Sequence, residues 1–78
     1  MKPLSLYLVT FRISEWGDIT KQAEVGALNQ LHCSVLLRKY MHRNRHTFDL
    51  PDNFNLVITD TIRVGYVGTE GVIKIQTV

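Results

Sequence analysis

The chain contains one cysteine, Cys33, among 78 residues. No disulfide can form within it, so its core has no covalent staple, and a reducing, cytoplasmic setting is the simpler expectation. Proline and glycine are scarce, at two and five positions, which excludes collagen-like and linker-like chains. No apolar run approaches the ~20 residues of a membrane span. The opening, Met1-Lys2 followed by an apolar run up to Phe11, has the outline of a signal peptide. Arg12 ends that run early, and no small-residue cleavage site follows. Also missing are a Cys-x-x-Cys knuckle, a glycine-rich phosphate loop between strand and helix, and any RNA-recognition, helix-turn-helix or zinc-finger signature. The expectation is a protein with no membrane segment, no cofactor, no metal and no small-molecule substrate.

What is present suits one compact domain over residues 1–78. Hydrophobic residues make up 45 % and charged residues 21 %, a globular balance. A domain of this size buries only about 60 % of its unfolded surface, so its core is near the lower working limit. The net charge is +2, but the cations are not spread evenly. Arg38, Lys39, Arg43 and Arg45 are four of the nine Lys and Arg residues, and no acid falls between Arg38 and His46. A local cationic patch can select a partner where a diffuse one cannot.

Leu4–Ile13 reads as a strand with apolar residues on both faces, as suits the middle of a sheet. Leu4, Leu6 and Leu8 point one way; Tyr7, Val9, Phe11 and Ile13 point the other. A turn follows at Ser14–Asp18, with Gly17 free to take positive φ and Asp18 able to cap a helix. Two readings fit the next segment. The preferred one is a helix from about Ile19 to His42, along the row Ile19, Ala23, Ala27, Leu31 and Val35. In the other, residues 19–25 are a strand, Gly26 breaks it, and a shorter helix covers Ala27–His42. Residues 44–53 form a polar connection. Phe54–Val67 alternates regularly, interrupted at Asp60, where the pattern predicts a strand end or a bulge. Gly68–Gly71 is a turn, and its hairpin register would pair Val67 with Val72, Tyr66 with Ile73 and Val64 with Ile75.

The fold class expected is α+β: one main helix packed on a small, mostly antiparallel sheet of three to five strands, ending in a β-hairpin. A single helix covers one face of such a sheet. The other face needs a second chain, a partner or the 44–53 loop, so a homo-oligomer is expected. The candidate interface residues are Tyr7, Val9, Phe11 and Trp16.

The candidate site for nucleic acid or an acidic protein surface is Arg38, Lys39, Tyr40, His42, Arg43 and Arg45. Lys and Arg neutralise phosphates, and Tyr40 offers a ring for stacking. The same charges also suit a helix C-terminus, where they complement the macrodipole. His42 and His46, spaced i, i+4, are weak metal candidates with Cys33 or His32 as remote third ligands. His32 and Cys33 are adjacent and would diverge by about 100° on a helix, a poor catalytic pair. The function expected is a small non-catalytic binding protein, nucleic-acid-associated through its basic helix end. The alternative is a protein-binding regulator or inhibitor acting through an apolar sheet face or edge, of the kind viral and mobile-element accessory proteins use against host-defence enzymes, CRISPR systems among them. That alternative rests on size alone.

Overall fold

The computed structural model describes residues 3–78; Met1-Lys2, the charged head of the signal-like opening, lies outside them. The chain is one helix on a four-stranded antiparallel sheet: β1 (Leu4–Ile13), a short 3₁₀ turn (Ser14–Trp16), β2 (Thr20–Ala27), α1 (Gln30–Arg43), β3 (Leu56–Val67) and β4 (Gly71–Thr77). The α+β class read from the sequence is the one observed.

β1 is central, as its two apolar faces require. It pairs with β2 on one side and β3 on the other. Its odd-numbered residues Tyr7, Val9, Phe11 and Ile13 are buried, as are Ala23, Val25 and Ala27 of β2 beside them. α1 lies over this face and adds Cys33, Leu37 and Met41, one side of the helix at i, i+4, i+8.

The long helix from Ile19 is corrected. Residues 20–27 form a strand, and the helix starts only after it. The row that suggested a continuous helix is not the buried one: Leu31 is 76 % exposed. Strand alternation buries Ala23, Val25 and Ala27 together, and the turn at Gly17 (φ 70°) returns the chain alongside β1. Asp18 does not cap a helix but pairs with Arg12 at 3.2 Å. The cap is Asn29, whose side-chain oxygen accepts from the His32 amide at 2.8 Å; in return the His32 Nδ1 accepts from the Leu28 amide at 3.0 Å. The pair reproduces the reciprocal logic of a capping box one residue out of place.

The last two strands run antiparallel and are joined by a short turn, but they do not pair with each other. The sheet order is β3-β1-β2-β4. Val67 lies opposite Leu4, and Val72 lies opposite Val25. The expected Val67–Val72, Tyr66–Ile73 and Val64–Ile75 partners are therefore on opposite edges of the sheet. Each strand finds a long partner already in place, so the ladders go to β1 and β2. The regular alternation of 54–67 is also interrupted. Extra residues sit in the β3 ladder at Thr59 and Val64, and in β4 at Ile73. The irregularity expected near Asp60 is thus a bulge, and Asp60 itself accepts from the Thr61 amide at 3.0 Å.

Residues 68–70 cross from one edge of the sheet to the other over Gly26. A Cβ on Gly26 would lie 1.9 Å from the Thr69 carbonyl oxygen and 2.8 Å from Val67 Cγ1. Gly26 is opposite Leu6 in the ladder, so this crossing lies on the face away from α1. The 44–55 connection does not cover that face. Leu50 joins the core beneath the helix, and Phe48 and Phe54 pack against it.

Gly26→Ala should lower unfolding free energy in urea by about 3 kcal/mol, because the backbone of Thr69 cannot yield without moving β4. Gly65→Ala, where nothing lies within 4 Å of the added carbon, should change it by less than about 0.5 kcal/mol. Equal effects at both positions would discount the crossing.

Candidate binding site at the helix end

The last two turns of α1 carry the basic run to the surface because the buried row Cys33–Leu37–Met41 points the opposite way. Arg38, Lys39, His42 and Arg43, at i, i+1, i+4 and i+5, together line one shallow concavity with no carboxylate in its lining. The helix C-terminus below it adds the negative end of its dipole, which favours holding cations there.

The six residues expected to act together divide. Lys39 and Arg43 are exposed and take part in no ion pair among the described residues. Arg38 donates from one guanidinium nitrogen to the Leu56 carbonyl at 3.0 Å, which fixes its stem and leaves its other donors free. Arg45 does not belong to the patch. Its Nε bonds Asp52 at 2.6 Å and its Nη1 bonds the His42 carbonyl at 2.9 Å. The bonded guanidinium holds the Asp52 carboxyl below its ordinary value. Arg45 therefore ties the loop to the helix end rather than presenting charge. Tyr40 does not line the concavity, and its carbonyl accepts from the amide and side chain of Asn44, closing the helix.

His42 stacks on Phe54 with ring centroids 6.4 Å apart. His46 lies beyond the helix, which ends at Arg43, so the two histidines do not share a helical face. Among the described residues no three His, Cys, Asp or Glu side chains come together as a metal-binding group. Cys33 is fully buried, and burial pushes its thiol up to about 11.

The interface candidates are corrected. Tyr7, Val9 and Phe11 are core residues beneath α1, not an open surface. Trp16 is half-buried: it packs against Phe11 and Phe48, with Lys21 over its ring, and its indole nitrogen donates to the Phe48 carbonyl at 3.4 Å. It closes the end of the core. The uncovered face is the other one, carrying Leu6 and Leu8 of β1 with Ile62 of β3 beside Leu8. The double-sided apolar pattern of β1 signalled that such a face exists; the bulges in β3 hid which of its residues lie there. A second concavity, between the 14–18 turn and β3, is lined by Arg12, Asp18, Val57 and Thr59 among others, and Arg12 and Asp18 neutralise each other across it.

No family model, curated protein or solved structure matches the chain. No helix among the described residues is long and apolar enough to cross a membrane.

The Cys33 thiol should resist an aromatic disulfide reagent at mildly alkaline pH in the folded protein and react at once in denaturant. Rapid reaction without denaturant would mean that the helix opens readily.

Proposed function

We propose that the protein is a non-catalytic binding module that holds a single-stranded nucleic acid at the end of α1. The observation that carries this reading is the convergence of Arg38, Lys39 and Arg43 on one concavity free of carboxylates. Lys39 and Arg43 stand four residues apart, about 6 Å along the helix axis, close to the phosphate spacing of an extended strand. His42, on its Phe54 stack, supplies an aromatic edge between them. Three cations support modest affinity with a salt slope of about −2 in log K against log salt.

Fluorescence anisotropy of a labelled oligonucleotide tests it. Lys39→Ala with Arg43→Ala should weaken binding about tenfold or more and flatten the salt dependence. Arg45→Ala should leave affinity nearly unchanged, because that side chain is engaged with Asp52. Loss of binding in Arg45→Ala alone, or none in the double variant, would reject the site. Preference for an acidic protein over the oligonucleotide would redirect the reading to that partner.

The regulator or inhibitor reading draws on a different surface, the uncovered face around Leu8 and Ile62. A complex with an outside protein that survives high salt and nuclease and is lost in Leu8→Lys would favour it.

A further inference from the structure

Of the three histidines, one is placed to change the charge of the concavity at the helix end. His32 is committed elsewhere: its Nδ1 accepts from the Leu28 amide at 3.0 Å, and its Nε2 lies 3.6 Å from Glu70. His46 lies past the end of α1 and does not line the concavity. His42 is exposed and lines it together with Arg38, Lys39 and Arg43. It stands four residues after Arg38 and three after Lys39. Those spacings make side chains neighbours on a helix surface, about 5–6 Å apart at Cβ. A phosphate held by these cations is therefore within reach of the imidazole.

The ring is anchored through its face and its backbone. The face rests on Phe54, with centroids 6.4 Å apart and planes 28° from parallel. The His42 carbonyl accepts from Arg45 Nη1 at 2.9 Å, which fixes the turn that carries the ring. Stacking occupies the flat of an imidazole, whereas its two nitrogens lie on the rim. Among the described residues His42 joins no ion pair.

The charges around His42 set the direction of a proton linkage. On its own helix Arg38, Lys39 and Arg43 oppose an imidazolium. From the 44–55 connection Arg45 opposes it too, as does His46 when charged, while Asp52 favours it. The Asp52 carboxyl is held below its ordinary value first by Arg45 and, to a lesser degree, by His46 and His42. β3 meets this end of the helix at Leu56, whose carbonyl is taken by Arg38. Phosphates bound to the three cations neutralise the opposing charge, and their oxygens accept strongly from an imidazolium. Histidine is the side chain that changes charge between about pH 5 and 8.

We infer that His42 makes this site proton-linked: holding a strand takes up one proton on its imidazole, so the strand is held more tightly as pH falls below neutrality. The inference rests on the nucleic-acid reading above. A proton from solvent joins the lone pair of one ring nitrogen, and the imidazolium donates to a phosphate oxygen. The site then offers four cations rather than three. At about 0.7 counterions released per contact with a single strand, the salt slope steepens from about −2 to about −3.

Fluorescence anisotropy with a labelled oligothymidylate tests it, because neither thymine nor the phosphodiesters titrate near neutrality. Affinity should rise about tenfold between about pH 8 and about pH 5.5, with the steeper salt slope at the lower pH. His42→Gln should abolish the rise, and His46→Gln should keep it. In NMR titrations of the parent chain, the midpoint of the His42 ring-proton signal should move up by about one pH unit when the oligonucleotide is bound. Linkage makes that movement and the tenfold affinity change the same free energy. The midpoint needs no variant, and circular dichroism confirms that the variants fold. Flat affinity across this range, a rise that survives His42→Gln or is lost in His46→Gln, or a midpoint that ignores the oligonucleotide overturns the inference and leaves the binding site standing. Absence of binding at every pH rejects the site itself, and the inference with it.

Discussion

Three residues carry the chain from one outer edge of the sheet to the other. With strands about 4.8 Å apart, the outer edges of a four-stranded sheet are separated by roughly 14 Å. Four peptide units, from Val67 to Gly71, reach at most about 14 Å when fully extended. The link must therefore run nearly straight across the ends of β1 and β2, and it meets β2 at Gly26. The Thr69 carbonyl occupies the space a side chain would need. The strand order is open to the chain only with glycine here, because any larger residue at 26 would force the link around the sheet, a path it is too short to take.

The other side of the sheet shows how a small chain completes a core with one helix. α1 supplies three fully buried side chains, too few to cover β1 and β3 as well as β2 and β4. The connection after the helix fills the gap. Leu50 enters the core, Phe48 and Phe54 close around it, and Trp16 seals the end of the sheet. Arg45 fixes this connection through Asp52 and through the His42 carbonyl in the helix's last turn, with Asp49 in a left-handed conformation (φ 55°) letting the chain turn. A residue that looks like part of a binding patch in the sequence is thus a structural tie, and the patch is reduced to the cations that the fold does not employ.

The central strand, the helix over Leu37 and Met41, and the turn at Gly17 were legible because each is a local pattern with one reading. The segment 19–27 was not. Ala23 and Ala27 fit a helical row and a strand face equally well by spacing, and alanine's intrinsic preference for helix favours the reading that tertiary pairing overrides. The terminal strands were legible as strands but not as to partner. An antiparallel pairing between neighbours costs the least loop-closure entropy, and nothing local reports that β1 and β2 offer other ladders. The basic run was legible as charge, while the division between Lys39 and Arg43 on one hand and Arg45 on the other depends on Asp52, seven residues away across a loop. The open face was foreseen on the wrong side of β1, since period-two alternation says that the two faces differ and not which one the helix selects.

The same crossing imposes an order of events on folding. β1 and β2 can meet as soon as the chain reaches Ala27, yet each borders a strand that appears only much later in synthesis. A growing chain therefore holds a two-stranded ribbon with both outer sides unsatisfied until β3 and β4 emerge, and contacts so distant in sequence form slowly. During that interval the bare ribbon is the molecule's point of vulnerability to wrong pairing, and the brevity of the final link means that the two missing borders arrive almost together.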